Sequence, residues 1–186
     1  AVNGKWIEAP ADDFFTTLAR RFPFLPFIAE DLGVITPDVR EQIAKWDFPG
    51  MRILLFAFGD GSPKNSFLPH NYPVNCVAYT GTHDNNTARG WFEHDASPEE
   101  KQGFFRYLGR EVEPREVPWE LLRLLMRSSA GLVVTPMQDL LGLGAEGRMN
   151  FPSTSSGNWG WRMPGEAASE ELAKALGEMT RWYGRG

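Results

Sequence analysis

Four compact apolar runs punctuate the chain and predict strands. The first is short, bracketed by Pro23 and Pro26, and ends at Glu30. The second, over 51–58, is dense enough to suit a strand buried on both faces. The third covers 76–80 and the fourth 132–136. Between them the apolar positions take helical spacing. Asp12 or Asp13 caps a helix running to Arg21. Thr36-Pro37-Asp38 starts another, with Pro at an early position, through Val39, Ile43 and Trp46; Phe48-Pro49-Gly50 stops it. Ser97-Pro98-Glu99-Glu100 has the pattern of a capping box. Pro118-Trp119-Glu120 opens a longer helix through Leu121, Leu122, Leu124, Leu125 and Met126. A last amphipathic helix covers 170–183. Segments 59–63, 67–72 and 142–162 read as loops, with Met137 to Leu141 following the fourth strand.

Strands alternating with helices predict an α/β fold with a parallel sheet and right-handed crossovers. Four such units fall short of a closed eight-stranded barrel, which takes about 250 residues. The expected architecture is the C-terminal half of a barrel, with its N-terminal half missing from the chain and residues 1–186 forming part of one catalytic domain. A small open four-stranded α/β domain is the alternative. The chain starts at Ala1 without Met, in a turn-rich stretch holding Trp6, which reads as an entry into the middle of a domain; N-terminal processing would give the same start.

The 186 residues suffice for one sizeable core. A net charge of −5 and the lack of a Lys/Arg run make nucleic acid and anionic membrane poor partners. No segment approaches the roughly 20 apolar residues of a membrane span. The single Cys76 sits in an apolar run, and a lone buried thiol suits a cytoplasmic protein. Seven Trp are present; an aromatic face packs well on the C–H face of a pyranose, although core packing uses the same residues.

Two motifs place carboxylates where strands stop, and barrel enzymes do their chemistry at strand C-termini. Glu30 follows Phe27-Ile28-Ala29. Apolar surroundings would raise its pKa, as a general acid near neutral pH requires, while a capped or salt-bridged strand-end Glu is the structural alternative. Asp31 reads as a structural partner. His83 and Asp84 follow a Gly-Thr turn and could reach vicinal sugar hydroxyls, the carboxylate accepting and the imidazole donating or accepting. An Asx turn at Asp84 and Asn85 with His83 simply buried is the alternative. Asn150 and Asn158 share a loop with Trp159 and Trp161, which suits hydroxyl recognition or a rigid loop. His70, His83 and His94 lack metal-ligand spacing, and neither a serine-hydrolase elbow nor a dinucleotide fingerprint is present, so no metal and no cofactor are expected. Paired strand-end carboxylates point to glycosyl transfer.

At these residues the chain resembles the amylomaltases, the 4-α-glucanotransferases of glycoside hydrolase family 77. The resemblance rests on AEDLGVITPDV at 29–39, PGM at 49–51, FAFGDG at 56–61, FLPHNY at 67–72 and YTGTHDNNT at 79–87. It continues with VPW at 117–119, QDLLGLG at 138–144, RMNFP at 148–152 and SGNWGWR at 156–162. It implies a (β/α)8 TIM barrel of the α-amylase type, of which the chain holds strands five to eight, and a retaining mechanism. Glu30 matches the acid/base at the end of the fifth strand. Asp84 matches the carboxylate at the end of the seventh, which stabilises the transition state. His83 and Asn150 match substrate ligands, and Phe56 and Asp60 resemble residues of the glucan groove. The implied partners are α-1,4-glucans and maltooligosaccharides, such as starch and glycogen.

The family's nucleophile is an Asp in an Arg-x-Asp-His motif, and no such motif occurs here. The 6–15 stretch resembles the segment that follows it. The chain is therefore expected to supply the acid/base and the transition-state carboxylate but not the nucleophile, and to be inactive alone. An α-glucan hydrolase of the same clan and a truncated, non-catalytic glucan-binding module are the alternative functions.

Overall fold

The structure is a computed structural model describing residues 3–5 and 7–186. Trp6 lies outside the described residues. The chain forms two compact units, Ala1–Gly50 and Met51–Gly186.

The first unit holds two helices. Helix α1 (Ala11–Arg21) begins one residue before the expected cap: Pro10 takes the cap position, and Asp12 and Asp13 lie in the first turn. There they still favour the helix by facing its positive end, as Arg20 and Arg21 do at the other. Helix α2 (Pro37–Lys45) starts after Thr36 with Pro in its first turn. It is followed by Asp47, whose φ of 52° turns the chain out of the helix. The helices meet through aromatic edges. Phe15 lies 5.4 Å from Trp46 and 5.0 Å from Phe48, and Phe27 lies 5.5 Å from Phe48 in an edge-on contact. The predicted first strand shrinks to one parallel bridge, Ala29 with Gly50, with the Ala29 N–H bonded to Pro49 O at 2.9 Å. Pro23 and Pro26 carry no N–H, which leaves little of this segment able to join a ladder.

The second unit is built on a three-stranded sheet in the order β1-β2-β3. Strand β1 (Gly50–Ile53) is shorter than its apolar run. At Leu54–Phe56 the chain leaves the sheet in a 3-10 turn, which buries Leu54 and Leu55 side by side and turns Phe56 outward. Strict alternation would have put these two neighbours on opposite faces. Strand β2 (Cys76–Tyr79) pairs in parallel with β3 (Leu132–Val134), with Ala78 opposite Val133. The parallel pairing follows the sequence pattern, and the buried Cys76 thiol donates to Pro73 O at 3.1 Å.

Between β2 and β3, helix α3 (Ala88–Gly90) runs directly into a π-helical turn at Trp91–Asp95, a feature the apolar pattern did not predict. Helix α4 (Pro98–Leu108) carries the expected capping box in full. The Ser97 side chain accepts from the Glu100 N–H, the Glu100 side chain accepts from the Ser97 N–H, and left-handed Gly109 ends the helix. Helix α5 (Val117–Met126) buries Val117, Leu121, Leu122, Leu124 and Leu125 and is the apolar spine of the unit. Arg185 closes its end, its guanidinium donating to Met126 O at 2.8 Å and, just past the helix, to Ser128 O at 2.6 Å. Helix α6 (Met137–Leu140) follows β3, and α7 (Glu170–Trp182) packs Met179 against Leu122 and Met126. No helix among the described residues is long and apolar enough to cross a membrane.

A second part of the core is aromatic. Phe104 is fully buried, with Phe58 at 5.3 Å and Phe105 at 5.9 Å. Truncating it leaves a cavity ringed by groups that cannot all collapse. Phe104→Ala is expected to cost about 3–5 kcal/mol, read as a lower midpoint in urea unfolding; a loss below about 1 kcal/mol would mean the cluster repacks freely.

Candidate functional site

In the first unit, Glu30 stands exposed just after the Ala29 bridge. Asp31 beside it is half-buried and packs under Gly50, where a Cβ would lie 2.6 Å from its carboxylate oxygen. This close approach explains the glycine. Gly33 (φ +83°) then turns the chain.

In the second unit, the 81–87 loop leaves the end of β2. Gly81 sits in close packing, where a Cβ would meet the Leu55 side chain at 3.0 Å and Asn85 at 3.3 Å. The turn is made by Thr82 and Asn85: the Asn85 side-chain oxygen accepts from the Thr82 N–H at 2.8 Å. Asp84 contributes only its N–H, to the Thr82 hydroxyl at 3.3 Å. Its carboxylate is left to face outward. His83 is exposed, not buried, and its Nε2 lies 3.3 Å from Asp84 Oδ1.

A second loop meets this one. The Asn150 amide donates to Asp84 Oδ1 at 2.7 Å, and the Asn150 N–H donates to His83 O at 3.1 Å. Arg148 donates to Asp84 O at 3.0 Å and to Asn150 O at 2.9 Å, while its guanidinium lies over the Phe151 ring at 4.3 Å. Trp159 stands with its ring 5.1 Å from that of His83 and its N–H bonded to Met149 O at 2.7 Å. Its φ of 61° is uncommon for a bulky residue, a departure that clusters at functional positions. Asn158 accepts from the Phe151 N–H at 2.8 Å, so its role is to brace the loop.

Two adjacent depressions flank the junction. One, about 170 Å³, has His83, Gln138, Arg148 and Trp159 in its wall. The other, about 200 Å³, has Phe56, Asp84, Asp95 and Arg148. The structure thus brings four of the sequence-predicted residues together: His83, Asp84, Asn150 and Phe56. Asp60 is exposed in the loop after Phe58, accepting from the Ser62 N–H at 3.0 Å, and is in neither wall. Glu30 belongs to the first unit. Sequence reading gave no role to Arg148, although it touches both halves of the junction.

An outward carboxylate, an imidazole, an amide and an exposed indole around one loop junction can grip several hydroxyls of a sugar while its apolar face lies on the ring. Among the described residues no group of three His, Cys, Asp or Glu is arranged to hold a metal ion.

Residues 1–168 match the 4-alpha-glucanotransferases, glycoside hydrolase family 77. The 4-alpha-glucanotransferase of Thermus thermophilus is 49% identical over 97% of this chain and 37% of its own length. That of Clostridium butyricum is 45% identical over 100% of this chain and 38% of its own length. Among solved structures, amylomaltase from Streptococcus agalactiae in complex with acarbose superposes with a TM-score of 0.90 at 40% identity, over 98% of this chain and 37% of that one. The amylomaltase of Corynebacterium glutamicum, at 18% identity and a TM-score of 0.62 over 82% of this chain and 28% of that one, shares the fold. The chain spans a little over a third of the length of the curated relatives it matches. It belongs to glycoside hydrolase family 77, the 4-alpha-glucanotransferases.

Proposed function

We propose that this chain is part of an enzyme that transfers α-1,4-glucan segments between maltooligosaccharides, starch or glycogen, by a retaining double displacement. The observation that carries the reading is the junction of His83, Asp84, Asn150 and Trp159, flanked by two adjacent depressions. Acarbose, a maltooligosaccharide-like ligand, bound to the Streptococcus amylomaltase supports it.

Glu30 protonates the departing glycosidic oxygen while a nucleophilic carboxylate attacks the anomeric carbon from the other face. The same residue, now a carboxylate, takes the proton from the 4-hydroxyl of the incoming glucan, whose oxygen displaces the enzyme. A retaining pair stands about 5–5.5 Å apart. Asp84 grips hydroxyls of the distorted donor sugar, where positive charge develops. His83 and Asn150 hold the same sugar, and Phe56 and Asp60 line the groove beyond it. The nucleophile comes from a part of the enzyme outside these 186 residues. In this reading Ala29, β1, β2 and β3 mark strands five to eight of a (β/α)8 barrel that the missing part completes, and the enzyme works in the cytoplasm.

The test is incubation of the complete natural gene product with maltotriose, with products separated by length. Glucose plus a ladder of longer glucans is expected. Shortening alone would assign the enzyme to the hydrolases, and binding without turnover would reduce it to a glucan-binding module.

A further inference from the structure

We propose that Asp139 is a positioning residue: its carboxylate clamps both stems of the 81–87 loop and so sets where His83 and Asp84 stand. The proposal rests on the reading of that loop as part of a glucan-transfer site.

Asp139 sits on α6, only 2% exposed, more than fifty residues from the loop in sequence. Its two oxygens serve different partners. Oδ2 accepts from the Thr80 hydroxyl at 2.6 Å, and Oδ1 accepts from the Ala88 N–H at 2.7 Å. Thr80 is the residue before the loop and Ala88 the residue after it, and both are fully buried. One planar group of fixed width therefore holds the loop's entry and exit at a set spacing. An apolar side chain of similar size would fill the space but leave the Ala88 N–H buried and unpaired, which is costly.

The neighbouring residue does the same for the partner loop. Gln138 donates to Gly147 O at 3.2 Å, at the residue just before Arg148. Adjacent side chains of one short helix thus reach the base of the loop carrying His83 and Asp84 and the entry to the segment carrying Arg148 and Asn150. The two loops then join at their tips through Asn150 and Arg148. The spacing between the catalytic-loop groups is fixed from below as well as from above. Burial pushes the Asp139 carboxyl upward, and the Thr80 and Ala88 bonds oppose that shift. An expensive buried acid is kept where each of its oxygens has a stem to hold.

The experiment compares Asp139→Ala, Asp139→Asn and Thr80→Val in the complete gene product, with kcat and KM on maltotriose and amide hydrogen exchange. Loss of the clamp in Asp139→Ala is expected to lower kcat per folded molecule about 100-fold with KM changed less than about threefold, since an ångström of misplacement costs that much. Asn can turn its oxygen to the Ala88 N–H and its amine to the Thr80 hydroxyl, which can donate onward to Thr135 Oγ1, 3.4 Å away. Asp139→Asn should therefore recover to within about tenfold of the unsubstituted enzyme. Exchange should quicken at 81–88 in Asp139→Ala while 76–79 keeps its protection. An unchanged kcat per folded molecule, or exchange that quickens uniformly, would overturn the proposal. If Asp139→Ala does not fold, Thr80→Val removes one arm of the clamp at constant shape; it should give a smaller loss with the same local exchange pattern, and no change in either would overturn the clamp. If the unsubstituted enzyme transfers no glucan, the functional reading fails, and the exchange pattern alone still decides the clamp.

Discussion

Asp84→Asn is expected to lower glucan transfer by the complete enzyme on the order of 10³-fold while leaving its stability almost untouched. The two side chains have the same shape, and an amide oxygen can still accept from Asn150 Nδ2, which now lies 2.7 Å from Asp84 Oδ1. The turn does not depend on the carboxylate, because Thr82 and Asn85 build it. The Asp84 side chain is 52% exposed, so its charge is cheap to carry and its removal relieves no burial. In the proposed mechanism, what disappears is a full negative charge beside a sugar that gains positive character in the transition state. A ground-state sugar feels that charge weakly, so the loss should fall on kcat and not on KM. Initial rates of glucose release from maltotriose, with a thermal midpoint beside them, make the measurement. Activity within about tenfold of the unsubstituted enzyme would remove Asp84 from the chemistry.

How far the sequence could be read depended on the reach of each interaction. The α4 capping box is contained within Ser97 to Glu100, and it formed as read. The parallel pairing of β2 with β3 followed from two short apolar runs separated by helices. His83 and Asp84 could be placed at a strand end because one turn connects them to β2. Features set by remote partners were silent. Arg148 touches Asp84 from 64 residues away, and no local window marks that arginine as different from others. Asp139 was given no role of its own, because its partners at 80 and 88 are distant in sequence and meet it only in the fold. The 51–58 run misled in a different way. Its apolar density fits a strand, yet the chain breaks at Leu54 into a turn that buries two adjacent leucines and exposes Phe56. That turn puts Phe56 in the same wall as Asp84, so the departure from the pattern serves the site.

The largest effect is expected from the chain taken alone: incubated with maltotriose, these 186 residues should release no glucose above a blank. The proposed retaining mechanism needs a carboxylate on the face opposite the acid/base, and the Arg-x-Asp-His motif that the resemblance implies for it does not occur in this sequence. Asp84 cannot take its place. In the proposed reading its role is a different one, since the resemblance matches it to the carboxylate that grips the donor sugar. The companion measurement is Glu30→Gln in the complete gene product. Loss of the proton donor and acceptor should lower transfer about 10²–10⁴-fold, the usual share of acid–base catalysis. A substrate with a good leaving group, such as an α-maltosyl fluoride, needs no proton to depart. With it the first step should survive in Glu30→Gln while transfer to a glucan acceptor stays slow. Transfer by the isolated chain that vanishes on Glu30→Gln would mean that the nucleophile lies within these residues or comes from a second copy. Equal rates for Glu30→Gln and the unsubstituted enzyme would move the acid/base role to another carboxyl.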